Sequence, residues 1–161
     1  MMFAVRTLLL LLLPTLAVAT ESMTSKSIIG PQNTFLADGA SALMSGDYAE
    51  GVRLTEIGLR FAGSNRDRGA AHNNLCAGLM KMDQLELALE HCDTALSINP
   101  NDWHAYSNRA GVLLQMDRLE EAEEAVEKGL AIRPNSRTLL KILDVARSMR
   151  YRPQVSVVDE R

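Results

Sequence analysis

The sequence has few aromatic side chains and little proline. Aromatic residues make up 4% of the 161 residues, and there are five prolines. Leu and Ala are abundant whereas β-branched residues are few, a mixture that favours closely packed helices over sheet. With 47% hydrophobic and 23% charged residues, the composition is that of a folded chain, and its length suits one compact domain.

Positive charge is neither in excess nor clustered. There are 17 Lys and Arg residues against 20 Asp and Glu, for a formal net charge of −3, so we expect no nucleic-acid partner. The sequence has three histidines but no Ser/His/Asp motif and no glycine-rich phosphate motif, so no nucleophile–base pair is indicated. The sequence therefore predicts a protein that is not an enzyme and that has no catalytic residue, cofactor or metal.

The first 19 residues have the features of a secretory signal peptide. Arg6 precedes an apolar run over residues 8–13, Pro14 ends that run, and Ala17-Val18-Ala19 forms a small-x-small cleavage site. An uncleaved anchor is the alternative, but a membrane span needs ~20 apolar residues. We expect cleavage after Ala19, no membrane insertion thereafter, and a periplasmic or secreted protein that starts with a flexible lead-in over residues 20–31.

The rest of the chain contains an internal repeat. The segment Met82-Asp83-Gln84-Leu85-Glu86-Leu87-Ala88 recurs 34 residues later as Met116-Asp117-Arg118-Leu119-Glu120-Glu121-Ala122. A diverged copy around Gly46-Asp47-Tyr48 is offset by 37, and its three extra residues are expected in a charged connection around Arg66-Asp67-Arg68. Such a period is typical of stacked supersecondary units.

Each copy is predicted to form two helices joined by a short turn. In the third copy, Asp102 is a suitable N-cap, Met116-Asp117-Arg118 is the turn, Pro134 ends the second helix and Ser136 caps the next one. A last helix, residues 136–150, is expected to pack through Leu139, Leu140, Leu143 and Ala146, and residues 151–161 are expected to form a disordered tail.

These residues resemble the tetratricopeptide repeat (TPR). The family's small residues and its closing proline match the following positions: Gly39, Cys76 and Ala110; Gly51, Ala88 and Ala122; Gly58, Ala95 and Gly129; Pro100 and Pro134. The first copy departs from the family by carrying Gly63 where the proline belongs. The resemblance implies an all-α, right-handed solenoid over residues 32–150, with three helix pairs (about 32–65, 69–102 and 103–136) and a C-terminal capping helix.

The resemblance also implies a concave groove formed by the first helix of each pair, in which a peptide or protein segment binds. Its predicted lining is Asn73, Asn74, Ala77, Met80, Lys81, His104, Ser107, Asn108, Gly111, Gln115 and Lys141, with Leu36, Ala40, Leu43, Thr138 and Ile142 around them. The chain is thus expected to be an adaptor or scaffold. A structural component of an envelope assembly remains the alternative.

Some TPR co-chaperones grip a partner's C-terminal carboxylate with Lys, Asn and Arg at set positions of the groove. Asn74 and Asn108 fall at two of the matching positions, but Asn108 stands where an Arg is usual. Leu36 and Ala40 occupy places that would need Lys and Asn. Because a carboxylate is poorly held without cations, the sequence predicts no such clamp.

The two cysteines lie on the two helices of the second repeat. The predicted hairpin places Cys76 and Cys92 at one level, where an oxidising compartment favours a disulfide. Two buried thiols are the alternative. A zinc site made of these cysteines with His72 and His91 is less favoured, since adjacent residues on a helix point about 100° apart. A thiol- or metal-dependent function that uses Cys76 and Cys92 is a further alternative.

Overall fold

A computed structural model describes residues 33–151 of the chain. Over that range there are seven α helices and no strand: α1 (Thr34–Ser45), α2 (Tyr48–Arg60), α3 (Asn65–Lys81), α4 (Leu85–Ile98), α5 (Trp103–Gln115), α6 (Leu119–Ile132) and α7 (Arg137–Arg150). The predicted solenoid of three helix pairs and a closing helix is confirmed. The predicted signal peptide, the lead-in and the tail after Tyr151 lie outside the described residues. None of the seven helices is long and apolar enough to span a bilayer.

Short polar side chains begin the helices where the sequence predicts them. Asp102 accepts a hydrogen bond from the backbone N–H of His104 at 2.9 Å, and Ser136 accepts one from Leu139 at 3.4 Å. Within the later pairs, Asp83 and Asp117 adopt left-handed φ values of 61° and 56° in the turns. Asp tolerates that conformation better than most residues, and so both predicted turns are confirmed.

Small residues mark the places where helices approach each other most closely. In the first pair, a Cβ atom added to Gly51 would lie 2.6 Å from Cδ2 of Leu43, and one added to Gly58 would lie equally close to Cδ2 of Leu36. In the second and third pairs, Ala88 and Ala122 are fully buried. These positions therefore set the distance between the two helices of a pair.

The extra residues of the first copy do not form a charged connection, and that prediction was wrong. Arg66, Asp67 and Arg68 all lie inside α3, which has 17 residues against 13 in α5. Ser64 starts this longer helix by accepting a hydrogen bond from Asp67 N–H at 3.0 Å. Charged side chains on an exposed first turn are compatible with a helix, so charge alone did not identify a loop.

The closing helix α7 packs on α6 with one apolar face. Leu139 and Ala146 are fully buried, but Leu140 is 47% exposed, so the prediction that Leu140 packs beside Leu139 was wrong. Consecutive residues on a helix point about 100° apart, and only one of the two can face the core. At the other end of α7, a guanidinium nitrogen of Arg150 lies 3.2 Å from a carboxylate oxygen of Glu123.

Candidate binding groove

The first helices of the pairs border a depression of about 400 Å³. Five residues predicted for the groove line it, namely Asn74, Ala77, Met80, Lys81 and Asn108. Ala40 and Leu43, which were expected around them, line it as well. The lining combines aliphatic and thioether surface with two amides and one ammonium group, which together can contact both the side chains and the backbone of a bound segment.

Two further residues complete the lining and were not predicted. Met44 lies in α1 four positions after Ala40, so helical periodicity alone could have identified it. Tyr48 is the first residue of α2, and it borders the depression because the α1–α2 turn closes this edge. Nothing in the repeat pattern identifies a second helix as part of the groove, so Tyr48 required the structure.

Asn73 and Asn108 bind each other instead of pointing separately into the groove. Nδ2 of Asn108 donates a hydrogen bond to Oδ1 of Asn73 at 2.8 Å, and this bond links α3 to α5. Asn108 keeps its carbonyl oxygen and its second N–H for a ligand. Asn73 therefore positions Asn108, and it does not itself line the depression.

The remaining predicted residues lie around the depression or away from it. Ser107 is only 7% exposed and is part of the interior. Gly111 adjoins Met80, whose sulfur would lie 3.1 Å from an added Cβ. The His104 ring lies against Trp103, with ring centroids 3.6 Å apart and ring planes tilted by 33°. Gln115, Thr138 and Lys141 are exposed, Ile142 is partly buried, and none of these four lines the depression.

Lys81 is the single cation among the residues that line the depression. Leu36, which stands at one position where a carboxylate clamp would need a cation, packs against Gly58 inside the first helix pair. The depression thus offers one exposed ammonium group and two neutral amides. One exposed ammonium without a second cation holds a terminal carboxylate weakly, because charge-assisted pairs owe their strength to several converging donors.

A second depression, of about 500 Å³, lies where α3 begins and α4 ends. It is larger than the groove, but its lining comes from helix ends and from the α4–α5 connection, including Asn65, Arg66, Asn99 and Asp102. The Asp102 side chain is already engaged as the cap of α5. We regard the depression along the first helices as the candidate site, since the first helices of all three pairs, α1, α3 and α5, contribute to its lining.

Cys76 and Cys92 are joined as a disulfide between α3 and α4, with Cα atoms 5.2 Å apart. Both residues are fully buried. Their sulfur atoms are therefore not available to a metal, and the four-residue zinc site with His72 and His91 does not form. Over residues 33–151, no group of three or more His, Cys, Asp and Glu side chains is arranged to hold a metal ion.

Comparison with known proteins supports the resemblance seen in the repeats. A family model described as tetratricopeptide repeat matches residues 79–143. A search of curated proteins finds no significant match.

Solved structures share the fold at low sequence identity. The first TPR domain of human RPAP3 has a TM-score of 0.66 and 21% identity, covering 71% of this chain and 88% of that domain. The Sgt2 TPR domain from Aspergillus fumigatus has a TM-score of 0.67 and 23% identity, with coverage of 74% and 80%. The second TPR domain of human RPAP3, solved in complex with the HSP70 peptide SGPTIEEVD, has a TM-score of 0.63 and 18% identity, with coverage of 70% and 92%. Residues 79–143 thus match the tetratricopeptide repeat family, and the helices that the structure describes share the fold of solved TPR domains.

Proposed function

We propose that this chain is a non-enzymatic interaction module, an adaptor or scaffold that binds a peptide or protein segment in its groove. The observation that carries the proposal is the depression of about 400 Å³ along the first helices, where apolar surface from Leu43 and Met80 lies beside the amides of Asn74 and Asn108. A surface of this kind suits an extended or helical segment. The complex of a similar domain with an HSP70 peptide is a precedent for such binding in this fold.

Binding would rely on groups that the helices already hold in place. The Asn73–Asn108 hydrogen bond fixes one amide, and Met80 rests against Gly111. Little conformational entropy would then be lost when a segment binds, which favours affinity. Lys81 would pair with an acidic side chain of the ligand. Because Lys81 is the only cation in the lining, we expect an internal segment to bind as well as a C-terminal one.

We further propose that the protein is exported and acts in the periplasm or outside the cell. The first 19 residues support this proposal by their apolar run and small-x-small site. The Cys76–Cys92 disulfide is compatible with it, since such bonds persist in oxidising compartments and are rare in the cytosol. Sequencing the N-terminus of the purified mature protein tests the proposal: Thr20 as the first residue supports export, and Met1 contradicts it.

A matched pair of double variants tests the groove. Asn74→Glu/Asn108→Glu adds two carboxylates to the depression. Ser97→Glu/Ala131→Glu adds the same two at equivalent, exposed positions of α4 and α6. Each protein is cross-linked in an extract of the source organism's envelope and secreted fractions, and captured proteins are identified by mass spectrometry. Circular dichroism first establishes that both variants are folded.

A partner that the parent and the α4/α6 variant capture, but that the groove variant loses, supports binding in the groove. A partner captured equally by all three proteins contradicts it.

Loss of the partner only in the α4/α6 variant would favour the alternative role, a structural component of an assembly. The exposed, stacked rings of Phe35 and Phe61, with centroids 6.0 Å apart, are an apolar surface that could serve such a role.

A further inference from the structure

His72 and His91 face each other across the second helix pair. His72 lies on α3 and His91 on α4, and their Nδ1 atoms are 2.9 Å apart. The ring centroids are 5.1 Å apart, and both side chains are partly buried. Neither residue lines the groove, so the proposed binding function makes no use of this pair.

The disulfide holds the two histidines in register. Cys76 follows His72 by one helical turn, Cys92 is the neighbour of His91, and the bond between the cysteines fixes α3 against α4. Two imidazoles at this spacing are therefore arranged before any ligand arrives. Preorganisation of this kind reduces the entropy lost on binding.

Both rings are suited to donate lone pairs at neutral pH. Burial lowers the pKa of His72, and the neighbouring His91 lowers it further. Burial also lowers the pKa of His91, although the negative charges of Glu90 and Glu56 partly oppose that shift. Neutral imidazole is the form that binds metals. In the hydrogen-bonded pair, one Nδ1 carries a proton, and transfer of that proton to the Nε2 atom of the same ring frees both Nδ1 lone pairs.

The spacing of the two nitrogens matches one edge of a metal's coordination shell. At metal–nitrogen distances of about 2.0–2.1 Å, two nitrogens at a right angle lie about 2.9 Å apart. Tetrahedral coordination would need about 3.3 Å. Right angles between nitrogen ligands are typical of Cu²⁺ and Ni²⁺, and Cu²⁺ binds nitrogen ligands most tightly in the first-row series.

We propose that His72 and His91 form a two-nitrogen site for a divalent late first-row metal ion, with Cu²⁺ as the best fit. Small concerted changes in χ1 and χ2 of both side chains point the two Nδ1 lone pairs at one ion while the nitrogens stay near their present 2.9 Å separation. Because no third His, Cys, Asp or Glu joins the pair in a metal-holding group among residues 33–151, water completes the shell. Glu56, Arg60 and His91 line one depression, so the ion would meet solvent on the His91 side, beside both a carboxylate and a guanidinium group.

Electron paramagnetic resonance of the parent protein is the first test. Untagged full-length protein with its disulfide intact is mixed with a substoichiometric amount of Cu²⁺ at pH 7.5. The expected spectrum is tetragonal, with hyperfine coupling to two imidazole nitrogens. A spectrum that shows coupling to one nitrogen or to none would overturn the proposal, and no variant is needed for that result. His72 and His91 would then be a hydrogen-bonded pair that does not bind copper.

Equilibrium dialysis of matched variants is the second test. His72→Gln and His91→Gln each remove one ligand, whereas His104→Gln removes the chain's third histidine, which lies against Trp103 away from the pair. Each of the first two substitutions is expected to weaken Cu²⁺ binding by at least about ten-fold, and His104→Gln to leave it unchanged. Equal affinity in all four proteins would overturn the proposal, because the bound copper would then lie elsewhere.

Discussion

The second and third repeats share one fold and one 34-residue period, but different interactions hold their helix pairs together. In the second repeat, Cys76 and Cys92 connect α3 to α4 covalently. The equivalent positions of the third repeat are Ala110 and Val126, which are fully buried in an apolar cluster. Both helix pairs adopt the same arrangement, although only the second contains a disulfide. The apolar residues of the repeat pattern are therefore sufficient for this packing, and the disulfide stabilises it further.

The two repeats also differ next to the disulfide, where the second repeat carries a pair of histidines. His72 and His91 meet at 2.9 Å in the second repeat, whereas Tyr106 and Ala125 occupy the equivalent positions of the third. Ala125 is buried with 1% exposure, while His91 is partly open to solvent. The second repeat thus carries two imidazoles where the third carries a phenol ring and a methyl group. Variants that carry residues of the third repeat at these positions of the second therefore measure how much the disulfide and the histidine pair contribute to stability beyond the shared helix packing.

The largest expected effect comes from giving the second repeat the residues of the third. Cys76→Ala/Cys92→Val removes the disulfide and keeps both positions apolar. The bond closes a loop of about 15 residues, so we expect the free energy of unfolding to fall by about 3 kcal/mol. Urea unfolding of parent and variant, each with a metal chelator present, measures the change.

The parent treated with reductant is the control for this exchange. It should lose a similar amount of stability, while the variant should not respond to reductant. A variant that unfolds at the same urea concentration as the oxidised parent would show that the disulfide contributes nothing beyond the packing of the third repeat.

Overpacking at equivalent positions should affect both repeats alike. Ala88 and Ala122 are fully buried where the two helices of a pair approach each other. Ala88→Leu and Ala122→Leu are each expected to lower the free energy of unfolding by about 1–3 kcal/mol, because the added atoms have no space. Thermal or urea unfolding measures both, with the exposed Ala131→Leu expected to stay within about 0.5 kcal/mol of the parent. Two unaffected variants would contradict the repeat register.

The comparison also explains how much of the fold the sequence could predict. The turns at Asp83 and Asp117 and the caps at Asp102 and Ser136 were predictable, because each depends on local backbone chemistry. The start of α3 was not predictable from its charges, since Arg66 and Asp67 suit a helix and a loop equally well. Local rules therefore predicted which helices form better than they predicted the residue at which each helix begins.

The groove was predicted only in part, for a related reason. Asn74, Ala77 and Met80 follow from helical spacing on one helix, and all three line the depression. The bond between Asn73 and Asn108 depends on how two helices from different repeats are aligned, which no single repeat specifies. His72 and His91 lie on the two helices of one repeat, and their contact depends on how those two helices are rotated against each other. Such contacts arise from helix packing. The sequence pattern therefore predicted the positions of these residues along their helices but not which side chains contact each other.

The smallest expected effect is a difference in acid sensitivity between the parent and a second exchange variant, His72→Tyr/His91→Ala. Burial holds the pKa of both histidines below the ordinary value, so the folded chain binds fewer protons than the unfolded chain as the pH falls. The stabilisation is therefore complete above about pH 6.5, the ordinary histidine value, and is lost as the pH falls through the lowered pKa values. Urea midpoints between pH 5 and 7.5, with a metal chelator present, should fall more steeply for the parent. Parallel curves would show that the histidine pair titrates as freely in the folded repeat as in the unfolded chain.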